Sequence, residues 1–228
     1  MPAHGIGGET RVYKKRVFIE QDDEDARDWE EKTAEEEIYV PKPYETPKTA
    51  GERIQIDVKY VPRACLVKGM PQLYQYTAID ECTRIRHRMI FEELSSYNAA
   101  KFVREVQARF PFEIHCIQTD NGIEFTNAML SHDKLSVFEQ YLKKKGIIHK
   151  RIRPATPRHN GKVERVHRMD SERFYANRTF YSVMDANVQL QRYQRWDNNF
   201  PLLVLGRKSP LQFWRDNFSE CVTDHLTT

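Results

Sequence analysis

Asp57 in IQIDVKY, Asp120 in QTDNG and Glu164 in RHNGKVER are acidic residues in contexts suited to chemistry. Asp57 interrupts an alternating apolar run, Asp120 ends a strand-like run at an Asn-Gly turn, and Glu164 opens a helix. Three carboxylates on three separate elements are what a site for two divalent cations needs. Two such ions, roughly 3.5–4 Å apart, activate an oxygen nucleophile, neutralise a phosphate and stabilise a leaving oxyanion. Metal-assisted cutting and joining of phosphodiesters is therefore the chemistry these residues predict. Each also has a plainer reading: an edge-strand surface charge for Asp57, an ordinary turn residue for Asp120, and a favourable N-terminal helix charge for Glu164.

The elements that must position them follow from periodicity. Ile54, Ile56, Val58 and Tyr60 share one strand face, which leaves Asp57 on the other. Strands at about 73–80 and 85–94 continue an antiparallel meander. Residues 97–110 place Ala99, Phe102, Val103, Val106 and Phe110 on one helical face, and Pro111 stops the helix. This helix-length crossover lets the next strand, FEIHCIQT, return parallel beside the first and bring Asp120 next to Asp57. A second amphipathic helix over 135–145, capped by Gly146, leads to strand IIHKRI and the loop RPATPRHNG. From Lys162 to about Tyr175 the spacing predicts a helix with Glu164, Arg168, Ser171 and Tyr175 along one stripe and Val163, Val166 and Met169 along an inward one. The tail from 182 reads as a helix, then Pro201, then a short helix with Ser209 as N-cap and Pro210 at N1.

Composition permits this reading. The 228 residues are 39% hydrophobic and 11% aromatic, which suits a folded core, and no apolar run is long enough for a membrane span. The net charge of +3 is uneven: residues 20–37 hold eleven acids against Arg27 and Lys32, leaving a basic body suited to a polyanion. Residues 1–48 read as a charged arm and linker, 49–180 as the catalytic unit, and 181–228 as a helical extension. Cys65, Cys82, Cys116 and Cys221 are scattered, as reduced thiols in a cytoplasmic protein would be, with no zinc spacing. His87, His115 and His149 read as packing residues within strands, and Trp196 and Trp214 as core anchors.

The stretches GERIQIDVKYVP, YQYTAIDECTR, QTDNGIEFTN, GIIHKRIRPATPRHNGKVERVHR and WDNNFPLLVLGRKSP resemble the integrase catalytic core of DDE-type insertion-sequence transposases, relatives of retroviral integrases. The resemblance implies an α/β, ribonuclease H-like fold with a mixed five-stranded sheet flanked by helices. It implies a triad of Asp57, Asp120 and Glu164, with Asp57 bridging two Mg2+ ions, Mn2+ as substitute, and Asp120 and Glu164 holding one ion each. It further implies DNA as partner (mobile-element ends and target), a homo-oligomer, and nucleoid association during action. Forty-three residues separate Asp120 from Glu164, against about thirty-five in the family, and the surplus falls in NAMLSHDKLSVF.

Arg158, His159 and Asn160 are candidate contacts to DNA backbone, or loop caps. Lys162, Arg165 and Arg168 are candidate phosphate contacts, or solvated surface. The tract Lys143, Lys144, Lys145, Lys150, Arg151 and Arg153 carries the same two readings. Transposases of this type carry a helix-turn-helix domain that residues 1–48 do not resemble, so a separate DNA-reading subunit is one expectation. A transposon-derived remnant that binds DNA without catalysis, or a metal-dependent nuclease without joining activity, are the other readings.

Overall fold

Alternation in GERIQIDVKY builds β1 (Ile54–Tyr60), the strand at the centre of the sheet. The computed structural model describes residues 45–127, 134–152 and 160–219. β1 pairs antiparallel with β2 (Tyr74–Asp80), which pairs antiparallel with β3 (Arg86–Phe91). The crossover helix α1 (Ser96–Arg109) starts at Ser95, whose hydroxyl accepts the Asn98 N–H. It returns the chain as β4 (Cys116–Thr119), parallel to β1, and β5 (Ile148–Arg151) lies parallel to β4 beyond it. The order β3-β2-β1-β4-β5 is the expected mixed five-stranded sheet. Between β4 and β5, α2 (Val137–Lys144) opens on a capping box of Ser136 and Glu139, and Gly146 follows it at φ 69°.

The two faces of this sheet differ in chemistry. Ile54 and Ile56 of β1, Tyr76 and Ala78 of β2 and Ile117 of β4 form one core with Phe102, Val103 and Val106 of α1 and Phe138 and Leu142 of α2. The opposite face is mostly polar: Gln55, Asp57 and Lys59, then Gln75 and Thr77, then Arg86 and Arg88, with Ile79 and Ile90 as its apolar contacts to the covering helices. Helices cover it nonetheless. α3 (Gly161–Asp170) lies on β1 and β2, and α4 (Val183–Asn199) lies on β3.

Burying charges on this face is costly unless they are paired, and its arginines are held by carboxylates. Arg88 is fully buried; its Nε binds Asp170 at 2.9 Å and its Nη2 binds Asp197 at 2.7 Å. Arg86 Nη1 reaches the same Asp197 at 2.7 Å. Side chains of α4 also satisfy the outer edge of β3. Asn198 bonds both the N–H and the carbonyl of Arg86, at 3.0 and 2.8 Å. Gln194 accepts the Arg88 N–H at 2.6 Å, and Asn187 bonds both groups of Ile90, at 2.9 and 2.8 Å.

Several expectations are corrected. The strand expected over FEIHCIQT spans only Cys116–Thr119, because its first ladder partner in β1 is Ile54, opposite Ile117. His115 precedes the strand and is exposed. The helix from Gly161 does not run uniformly to Tyr175: Ser171–Tyr175 forms a π turn. A π turn advances more residues per revolution, so Tyr175 leaves the stripe of Glu164 and Arg168 and is buried, its hydroxyl on Gln75. Trp196 is 47% exposed rather than a core anchor. The buried stripe of α4 is Ala186, Leu190, Tyr193 and Asp197, and Trp196 flanks it, stacked on Tyr193. Trp214, on α5 (Pro210–Phe218), packs against the main core partly buried. His87 and His149 do pack, on Phe102 and Phe138, and burial pushes each down to about 4.

Replacing Asn198 by alanine leaves both backbone groups of Arg86 unpaired. The expected loss is about 1–3 kcal/mol in urea unfolding, whereas a change within about 0.5 kcal/mol would mean that water replaces the amide freely.

Candidate active site

Gln55, Asp57 and Lys59 project from β1 toward α3 and meet it at three successive levels. Gln55 Oε1 accepts the N–H groups of Lys162 and Val163, at 3.2 and 3.0 Å, which caps the start of α3 from within the sheet. Asp57 Oδ2 lies 3.4 Å from His167 Nδ1, while its Oδ1 accepts the Val58 N–H at 2.8 Å. Lys59 Nζ donates to the His167 carbonyl and to Ser171 Oγ, at 3.0 and 2.7 Å. Glu164, in the first turn of α3, is exposed on this scaffold.

The β1–β4 register supplies the second acid. Ile54 stands opposite Ile117 and Gln55 opposite Gln118, so two residues further along Asp57 comes level with Asp120. Neighbouring strands are about 4.8 Å apart. Asp120 Oδ1 accepts the Gly122 N–H at 3.0 Å, in the turn that ends β4. The next residue, Asn121, ties this turn to β5 by donating to the Ile152 carbonyl.

Electrostatics show which charges meet. Asp57 is pushed up to about 7, first by burial, then by the Asp120 charge, with further contributions from Glu124 and Glu164, against the Val58 N–H. Burial pushes His167 down to about 3, so its imidazole is neutral beside Asp57. Mutually repelling oxygen donors fit a divalent cation, which removes the repulsion. Among the described residues, no three His, Cys, Asp or Glu side chains close around a single point that would hold an ion.

The other candidates fall in different places. Arg165 and Arg168 are exposed on α3. Lys162 Nζ is 2.6 Å from Glu81 Oε2, within a cluster that joins Glu81 to Arg53 and Gln55, so its ammonium braces α3 against β2 and β1. Asn160 is buried, its Oδ1 without a partner among the described residues. Arg158, His159 and Arg153 lie outside the described residues, as does part of NAMLSHDKLSVF. Lys143, Lys144, Lys145, Lys150 and Arg151 are exposed or half-exposed. The sequence reading did not single out Gln55, Lys59, Glu124 or His167. Gln55 and Lys59 carried a signal, the side of β1 shared with Asp57.

A family model described as Integrase core domain matches residues 47–157, and a second of the same description matches 145–202. The chain belongs to the integrase core domain family. This integrase core is 32% identical over 154 residues to a protein of Spiroplasma virus SpV1-C74 named "Putative integrase ORF3". The match takes in 64% of the chain and 42% of that protein, so the chain spans about two fifths of the relative's length. Among solved structures, it is similar to a chain in the cryo-EM structure of the simian T-cell lymphotropic virus intasome in complex with PP2A regulatory subunit B56 gamma. That likeness has 16% identity and a TM-score of 0.56, covering 74% of this chain and 56% of the other. The catalytic core domain of BIV integrase gives 16% identity and a TM-score of 0.51, covering 73% of this chain and 95% of that one. These likenesses establish the ribonuclease H-like fold. Among the described residues, no helix is long and apolar enough to cross a membrane.

Asp57 yields a pH test. Its folded value of about 7 lies above the ordinary 3.8, so the wild-type integrase core loses stability as pH rises through this interval without divalent cations. Asp57→Asn abolishes that slope. In EDTA the variant is expected to match wild type near pH 4 and exceed it by on the order of 3 kcal/mol at pH 8, read from Tm across pH. Parallel curves would remove Asp57 from a repelling cluster.

Proposed function

We propose that this integrase core is the catalytic part of a metal-dependent DNA strand-transferase, which nicks mobile-element ends and joins their 3′-hydroxyls to target DNA. One observation carries the reading: β1 and β4 bring Asp57 level with Asp120, and the charges of Asp120 and Glu164 both act on Asp57. Bound Mg2+, or Mn2+ in its place, would lower the pKa of the attacking oxygen and neutralise the phosphate. Asp57 would contribute to both ion positions, with Asp120 and Glu164 on either side.

The chain's own residues do the rest. Gln55, Lys59 and the Glu81 cluster hold α3 rigidly against β1, which fixes where Glu164 stands. Neutral His167 contacts Asp57 without adding a cation to the site. Exposed Arg165 and Arg168 extend from the same helix toward a DNA backbone, where each guanidinium can pair a phosphate. Displacement runs in line: water attacks a phosphodiester and frees a 3′-hydroxyl, then that hydroxyl attacks a target phosphodiester and expels its 3′-oxygen. Joining two ends calls for at least two copies of the catalytic unit. A separate helix-turn-helix subunit would supply end recognition.

The test is a strand-transfer assay in Mg2+ or Mn2+, using duplexes from DNA flanking the gene and a plasmid target. Joined products are expected from wild type. Asp57→Asn, Asp120→Asn and Glu164→Gln should each fall at least about a hundredfold with unchanged circular dichroism. Full activity in any variant removes that residue from the triad. Cleaved but unjoined products would make the protein a nuclease, and DNA binding without either product a transposon-derived remnant.

A further inference from the structure

We propose that Glu124 is a fourth carboxylate of the cation centre, standing with Asp120 and Asp57 on its β4 side; the inference rests on the reading of that centre given above. Glu124 lies in the turn after β4, four residues beyond Asp120, and is only 7% exposed. A carboxylate so buried is costly unless paired or bound to a metal. Yet its hydrogen bond comes from its own backbone N–H, and among the described residues no other side chain donates to it.

Its direction is set by Gly122. The side chain folds back over that glycine, so that a Cβ there would meet Glu124 Oε2 at 2.6 Å and Oε1 at 2.7 Å. The same glycine donates its N–H to Asp120 Oδ1 at 3.0 Å. One residue without a side chain therefore touches both carboxylates and leaves room for them to lie together. The Glu124 charge also acts on Asp57 more strongly than that of Glu164, and Asp120 acts in turn on Glu124. With Glu124 included, four carboxylates face the site, and two divalent cations would balance their charge.

The experiment measures Mn2+ binding to the full chain without DNA, by titration calorimetry and by the Mn2+-induced rise in Tm. Glu124→Gln is expected to weaken Mn2+ binding about 10–100-fold while raising Tm in EDTA, because a buried unpaired charge is removed. A merely structural glutamate would lower that Tm. Gly122→Ala keeps the charge and displaces the carboxylate; the backbone there admits alanine, and the clash falls on the end of a flexible side chain. It should weaken Mn2+ binding as well, whereas Glu92→Gln, on the surface beyond β3, should not. Wild-type Mn2+ affinity in Glu124→Gln or Gly122→Ala, with Asp120→Asn impaired, overturns the role of Glu124 alone. Wild-type affinity in Asp57→Asn and Asp120→Asn as well overturns the cation centre itself.

Discussion

The structure depends on a single strand whose two faces have opposite chemistry. On one side of β1, Ile54 and Ile56 anchor the apolar core against α1 and α2. On the other, Gln55 and Lys59 fasten α3 by hydrogen bonds, with Asp57 against His167 at the level between them. The packing that makes the strand rigid is thereby transmitted to the helix bearing Glu164. A site built on a central strand and a helix pinned to it needs little further ordering to be precise.

The polar layer beneath α3 and α4 is costly to bury, and its composition explains how it persists. Arg86 and Arg88 share Asp197, and Arg88 also takes Asp170 from the last turn of α3. Gln75 links Asp170 to Thr77 and receives the Tyr175 hydroxyl. Such a network contributes little net stability compared with apolar packing, but it admits few alternative arrangements. Beside the apolar contact of Val163 and Val166 on Ile79, it favours one rotation of α3 over the sheet.

Most of the fold was legible because each element carries its own period and punctuation. The caps Gly146 and Ser209 and the apolar stripe of α1 are local signals, and the crossover length permits the parallel return of β4. The three acids proposed as a triad each sit in a short contiguous motif, which is why the sequence pointed to them. Glu124 and His167 were not legible, since their proximity to Asp57 arises from a turn over Gly122 and from the docking angle of α3, neither of which has a sequence period. The π turn at Ser171–Tyr175 was hidden for a related reason: the energetic gain comes from placing Tyr175 against Gln75 and Phe180, a tertiary contact. Alternation in β1 also suggested a solvent-facing side for Asp57. The apolar contacts of the covering helices fall on Ile79 of β2 and Ile90 of β3 rather than on β1, so their arrival left no apolar trace in that strand.

The amides of Asn187, Gln194 and Asn198 occupy the hydrogen-bonding positions that a sixth strand would need beside β3. The sheet is thus finished on that flank by side chains rather than by backbone. Copies of this chain cannot zip together there into a continuous sheet, nor can an extended peptide augment it. Any higher assembly that leaves α4 in place must meet this end of the molecule through helix surfaces.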